Sequence, residues 1–225
     1  MKIGFISDAH GNPYSLRVCL DRLNSMGVDE IVFLGDAAGY FPETNEVIEL
    51  LQAFSCTCLL GNHDAMLIGK IPVDAKKDGV YKITELRQII KSEYLDLLSS
   101  WLPFFILHFD DLKKALCVHG SPWDPACGYV YPDADFYAFR LLDFDYIIMG
   151  HTHRPFIHTL GQKKIVNVGS CALPRDFGNE LCFGILDTKK HTFENYRMPY
   201  DINHIIQKYE DSVHPSVIDC LNRKK

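Results

Sequence analysis

Residues 1–36 read MKIGFISDAHGNPYSLRVCLDRLNSMGVDEIVFLGD. Ile3, Phe5 and Ile6 make a short apolar run of strand length. Asn12-Pro13 then reads as an N-cap followed by proline at the first helical position, where its missing N–H costs nothing. Leu16, Cys19, Leu20, Leu23 and Met26 recur at spacings of three and four, which predicts an amphipathic helix, and Gly27 is placed to terminate it. A second apolar strand follows at 31–34. A right-handed β-α-β crossover makes the two strands parallel neighbours.

Outward from this unit, Val47, Leu50, Leu51 and Phe54 lie on one face of a second helix, and the run at 58–60 is a third strand. A loop is expected over 72–79. One helix should then carry Ile83, Leu86, Ile90, Tyr94, Leu97 and Trp101 at the helical period. Beyond it the pattern is mostly strands, at 104–107, 115–118, 146–149, 156–159, 165–168, 182–186 and 192–196. Short turns such as Gly161-Gln162 join several of them and point to an antiparallel second half. Ile202, Ile205, Ile206 and Tyr209 form the stripe of a terminal helix with Asp201 as its N-cap. No linker, repeat or low-complexity segment divides residues 1–225, so the expectation is one α/β domain with two packed sheets covered by helices.

Composition narrows the function classes. Hydrophobic residues at 47% and charged residues at 23% describe an ordinary globular chain. The net charge of -6, with no basic run beyond Arg223-Lys224-Lys225, argues against a general nucleic-acid binder and leaves that tail to solvent. The N-terminus enters a strand directly, without a basic region or a long apolar stretch, so neither secretion nor a membrane span is expected and a cytoplasmic location is. Cys19, Cys58, Cys117 and Cys182 lie in apolar patterns, which predicts reduced core thiols. Oligomeric state has no signature in the sequence.

Five polar clusters stand directly after apolar strand runs: Asp8-Ala9-His10, Gly35-Asp36, Gly61-Asn62-His63-Asp64, His119-Gly120 and Gly150-His151-Thr152-His153. Loops beyond the carboxyl ends of strands form the crevice of an α/β sheet, so clusters distant in sequence converge there. In an extended segment residues i and i+2 point to the same side, which pairs Asp8 with His10 and His151 with His153. The side chains are carboxylate, imidazole and amide without thiolate, a set that suits manganese, iron or zinc. Asp8, His10, Asp36, Asn62, His119, His151 and His153 are too many for one ion and fit two ions about 4 Å apart with a carboxylate between them. Any one cluster alone is more often a turn or a satisfied polar group; five in order are not.

These motifs resemble the complete set of the calcineurin-like metallophosphoesterases, in the same order, from residue 3 to about residue 200. Asn167-Val168-Gly169-Ser170 is similar to the family's Asn-Pro-Gly-Ser turn, with valine in place of proline. His119-Gly120-Ser121-Pro122 and Pro174-Arg175-Asp176 look like the prokaryotic small phosphodiesterases related to diadenosine tetraphosphatase. The resemblance implies a four-layer α/β/β/α sandwich of two mixed sheets. It implies that Asp8, His10 and His153 bind one divalent ion, that Asn62, His119 and His151 bind a second, and that Asp36 bridges them. The ions would be manganese, iron, zinc or nickel. His63 would face the phosphoryl group as an imidazolium, with Asp64 to orient or charge it.

Two such ions lower the pKa of a shared water from 15.7 toward about 7, which makes hydroxide available for in-line attack on phosphorus. The implied activity is hydrolysis of a small phosphodiester or phosphoanhydride. Ala37-Ala38-Gly39-Tyr40 follows Asp36 where protein phosphatases of the superfamily carry an arginine, which counts against the phosphomonoesterase alternative. Arg175 is a candidate phosphate contact or the partner of Asp176, and Tyr129, with Trp123 and Tyr131, a candidate base platform or plain loop packing. A non-catalytic scaffold is the alternative from another class, since the retromer subunit of this fold serves protein contacts. The presence of His63 and of every ligand position favours an enzyme.

Overall fold

The computed structural model describes residues 1–109 and 112–225. The N-terminal unit is β1 (Lys2–Ile6), α1 (Pro13–Ser25) and β2 (Glu30–Phe33), with Ile3 to Ile6 in parallel register with Glu30 to Phe33. The Asn12 side chain accepts the Ser15 N–H at 3.2 Å and caps α1, and Gly27 takes a left-handed φ of 67° just past its end. Next come α2 (Thr44–Ala53), β3 (Thr57–Cys58) and α3 (Asn62–Leu67).

The middle departs from the expected loop and single helix. Residues Ala75–Tyr81 form α4, and the long apolar period divides into α5 (Ile83–Ile89) and α6 (Ser92–Ser100). A side chain from α2 causes the division. Asn45 donates to the Ile89 carbonyl at 3.1 Å and accepts the Lys91 N–H at 3.0 Å, so backbone groups that would continue the helix are taken and Ile90 is extended at φ -67°, ψ 135°.

The strands β4 (Phe104–His108), β5 (Lys114–Val118), β6 (Tyr146–Met149), β7 (Phe156–Leu160), β8 (Lys163–Asn167), β9 (Glu180–Asp187) and β10 (Thr192–Pro199) complete two five-stranded sheets. Their orders are β10-β9-β1-β2-β3 and β4-β5-β6-β8-β7. Both sheets are mixed, so the antiparallel second half is only partly found. β7 and β8 form the hairpin expected at Gly161-Gln162, but β5, β6 and β8 run parallel, and β9 and β10 return to the first sheet beside β1. The connection between β5 and β6, residues 119–145, is long enough to reverse direction, as a parallel pair requires.

Strand alternation sorts the apolar side chains into layers. Ile3, Phe5, Val32 and Leu34 meet Ala115, Cys117, Ile148 and Val166 between the sheets. Ile6 and Phe33 face the helices with Leu16, Leu20 and Val47, while Leu116, Val118, Ile147 and Met149 face outward under a 3-10 turn at Tyr137–Leu141. Two mixed sheets flanked by helices are thus the architecture expected of the chain. The end carries α7 (Asn203–Tyr209) and α8 (Pro215–Leu221); Asp201 accepts the Asn203 N–H at 3.0 Å, while the cap position itself is Ile202. All eight cysteines are free thiols, with Cys19, Cys117 and Cys182 buried and Cys58 half-buried. Among the described residues no helix is long and apolar enough to cross a membrane.

Candidate metal centre

Five loops leave the carboxyl ends of β1, β2, β3, β5 and β6 and carry Asp8 and His10, Asp36, Asn62 and His63, His119, and His151 and His153 to one buried place. The first two loops are laced together by Asp8 N–H to Gly35 O at 3.0 Å, His10 N–H to Asp36 O at 2.9 Å and Gly11 N–H to Ala37 O at 2.7 Å. The pairing of i with i+2 is observed, but extended alternation does not cause it. Asp8, His10, Asp36, His151 and His153 all have left-handed φ, between 49° and 66°. A non-glycine residue held there stores strain of order 1–3 kcal/mol, and these positions are the ones that aim side chains at the centre. Gly61 permits a close approach, since a Cβ there would lie 2.1 Å from Asp36 Oδ1.

Hydrogen bonds decide which atom each histidine offers. The Nδ1 atoms of His10, His119 and His153 lie 2.9, 2.8 and 2.7 Å from the carbonyls of Ala38, Leu34 and Leu173. A carbonyl only accepts, so each Nδ1 carries the proton and each Nε2 turns toward the centre as a donor of electrons. There the Nε2 atoms of His10 and His153 stand 2.9 Å apart, and His119 Nε2 stands 3.2 Å from Asn62 Oδ1. Asp8 Oδ1 lies 3.3 Å from His153 Nε2; Asp36 Oδ2 lies 3.3 Å from His119 Nε2 and 3.7 Å from His10 Nε2. Asp8 Oδ1, Asp36 Oδ2 and His151 Nε2 are buried without a hydrogen-bond partner among the described residues. Facing lone pairs and orphaned buried acceptors are repulsive by themselves and are what cation binding relieves. The groups Asp8-His10-His153, His10-Asp36-His63 and Asp36-His119-His151 each bring their ligand atoms within 4.8 Å of one another, so the residues present fit divalent ions.

Electrostatics agrees with this division. Burial raises the carboxyls, yet His153 beside Asp8 and His119 beside Asp36 hold both below the ordinary carboxylate range. Burial lowers His10 well below its usual value and takes His151 down to about 3. His119 is the exception: burial lowers it most, but Asp36, Asp8 and the Leu34 carbonyl together outweigh burial and bring it up to about 9.

His63 faces the same place but differs from its expected state. Burial pushes it down to about 4, which leaves a neutral imidazole near pH 7 instead of an imidazolium. The orienting contact expected of Asp64 is also not made. His63 Nδ1 is buried without a hydrogen-bond partner among the described residues, while the Asp64 carboxylate accepts the backbone N–H groups of Asp36 at 2.8 Å, Ala38 at 3.0 Å and Gly61 at 3.1 Å. Asp64 therefore builds the loops. Burial and the neighbouring Asp36 push it up to about 7 against the pull of those N–H groups.

Around the opening, the Tyr129 ring lies 4.2 Å from that of His151 and stacks on Tyr131, whereas Trp123 packs edge-on against Phe139. Arg175 does not pair with Asp176, which takes Arg197 instead; its Nη2 donates to the Tyr40 hydroxyl at 2.9 Å. Tyr40 and Tyr81 escaped sequence reasoning. Their rings lie 5.0 and 4.4 Å from that of His63, and no periodicity marks a loop tyrosine for such a place. Asn167 and Ser170, read only as a turn, lock the site's frame: Asn167 donates to Gly150 O and Thr152 Oγ1, and Ser170 Oγ donates to Asp8 O at 2.8 Å.

Comparison with known proteins places this geometry in context. An uncharacterized protein of Methanocaldococcus jannaschii is 32% identical over 224 residues, covering 92% of this chain and 90% of the relative. The symmetrical bis(5'-nucleosyl)-tetraphosphatase of Pseudomonas putida is 30% identical over 120 residues, which cover 52% of this chain and 41% of that enzyme. The crystal structure of a metallophosphoesterase from Sphaerobacter thermophilus superposes with a TM-score of 0.82 at 26% identity, covering 98% of both chains. A family model for the calcineurin-like phosphoesterase superfamily domain matches residues 1–191. With the buried His/Asp groups at its strand ends, the chain belongs to the calcineurin-like phosphoesterase superfamily.

Proposed function

We propose that the protein is a dinuclear metal-dependent hydrolase of a small phosphodiester or phosphoanhydride. The observation that carries this reading is the position of Asp36 Oδ2, orphaned between His119 and His10 where the two ligand groups meet. In this reading Asp8, His10 and His153 would hold one ion, Asn62, His119 and His151 would hold the other, and Asp36 would serve both. Bound divalent ions supply Lewis acidity and activate water for attack on phosphorus. The backbone carbonyls of Ala38, Leu34 and Leu173 keep the imidazoles in the tautomer that leaves Nε2 free. Asp36 Oδ1 accepts the His63 N–H at 2.8 Å, so the residue that would serve both ions also sets His63 in place.

His63 stays outside the ligand set and manages a proton. Burial keeps it neutral in the free protein, and a phosphate anion brought beside it opposes that burial, so protonation follows substrate binding and serves the leaving oxygen. The activity of the Pseudomonas putida relative, a symmetrical bis(5'-nucleosyl)-tetraphosphatase, supports the phosphoanhydride side of the reading. The test is turnover of bis(p-nitrophenyl) phosphate and of ADP by chelator-stripped protein before and after reloading with manganese, with elemental analysis of both samples. Stripped protein should be inactive and reloaded protein should hold two ions. Full activity in verified metal-free protein would remove the reading.

A further inference from the structure

Among the described residues whose side chains are placed around the centre above, Arg175 is the one permanent cation, and it is half-buried. Its guanidinium offers five N–H donors in a planar fork. Among the described residues one of these donates to the Tyr40 hydroxyl and no carboxylate lies within ion-pair distance. With one donor given to a neutral hydroxyl and no ion pair made among the described residues, the rest of the half-buried fork is free to take an anion. Its neighbours do not provide one: Asp176 is committed to Arg197, and Asp8 faces His153.

The backbone delivers this cation to the centre's rim. The Arg175 N–H donates to the His153 carbonyl at 3.1 Å, and the exposed Arg223 donates to the Arg175 carbonyl at 2.7 Å. Tyr40 stands between Arg175 and the centre, its ring edge-on to His10 at 4.6 Å and beside His63 at 5.0 Å. A hydroxyl fixed by that packing holds the fork in one rotamer. The fork is close enough that its charge adds to the burial that keeps His63 neutral.

We propose that Arg175, positioned by Tyr40, binds the phosphate adjoining the one that undergoes attack, so that the site selects phosphoanhydrides over phosphodiesters; this rests on the reading of the centre as a phosphoester site. A diester carries an uncharged organic group where an anhydride carries a second phosphate, and only the latter presents charged oxygens to a bidentate fork. Arg175 is then a specificity-determining residue and Tyr40 a positioning residue.

Equilibrium binding tests this apart from turnover. Manganese-loaded protein is titrated calorimetrically with methylenediphosphonate, a non-hydrolysable anhydride analogue, and with dimethyl phosphate. Arg175→Met, which keeps the stem, should weaken the diphosphonate about 30-fold and dimethyl phosphate less than about threefold, with an unchanged melting temperature. Arg175→Lys, a point charge without the fork, should fall between. Tyr40→Phe should weaken the diphosphonate about threefold in the presence of Arg175 and not at all in Arg175→Met. Equal losses for both ligands, or no loss, would overturn the role of Arg175; an undiminished Tyr40→Phe effect in Arg175→Met would overturn the positioning. Should the loaded protein hydrolyse neither ADP nor bis(p-nitrophenyl) phosphate, the hydrolase reading falls, while these affinities still decide what Arg175 binds.

Discussion

The Asp64 carboxylate accepts the backbone N–H of Asp36 at 2.8 Å, so a residue beside His63 in sequence acts on the loop of a different strand. Its Oδ2 also takes the Gly61 N–H and its Oδ1 the Ala38 N–H. Asp64→Asn must turn an NH₂ group toward at least one of these donors. A buried donor left unmatched costs about 2 kcal/mol, which lowers the melting temperature by about 4–8 °C in a chain of this size. Scanning calorimetry of the variant checks this, and an unchanged midpoint would remove Asp64 from the frame of the site.

Left-handed backbone at the candidate ligands makes a separate claim. At His10, with φ 49°, glycine is at ease and alanine is not. His10→Gly should therefore be more stable than His10→Ala by about 1 kcal/mol in the metal-free state, the reverse of their order in a helix. Paired urea titrations decide it; alanine the more stable of the two would contradict the turn geometry.

Asp36 and His63 should fail differently. Asp36 Oδ2 meets both ligand groups, whereas the His63 ring is packed by Tyr40 and Tyr81 at their edge. Asp36→Asn should lose at least one ion on gel filtration. His63→Ala should keep both and lower kcat by about 10²–10⁴-fold. Metal loss from His63→Ala as severe as from Asp36→Asn would make His63 a ligand.

The pH dependence of metal-free stability follows from the shifted groups. His63 at about 4 and His151 at about 3 are depressed below the ordinary 6.5, so unfolding takes up protons between pH 6.5 and about 4 and stability falls as pH drops through that window. His119, raised to about 9, contributes stability that is whole below pH 6.5 and lost as pH rises through 9; Asp64, raised from 3.8 to about 7, contributes stability that is whole below 3.8 and gone above 7, so it partly offsets the acid-side loss. Metal-free protein should be most stable near pH 6–7, with His63→Gln flattening the acid side and His119→Gln the alkaline side. Urea unfolding across pH 4–10 measures both limbs, and an acid limb as steep in His63→Gln as in the parent protein would mean that His63 is not held neutral.

The sequence alone determined the β-α-β start, the strands and the convergence of the ligand candidates, because these follow from local periods: Leu16 to Leu23 on one helix face, and Ile3 and Phe5 on one strand face with a polar cluster after the strand. Local patterns do not register what a distant side chain does. Asn45 splits α5 from α6 across more than 40 residues, β9 returns to β1 across nearly the whole chain, and Arg175 meets Tyr40 rather than its neighbour Asp176. Only the tertiary structure decided the states of His63 and Asp64, since burial and hydrogen-bond partners, not residue type, set where a proton sits and which backbone a carboxylate holds.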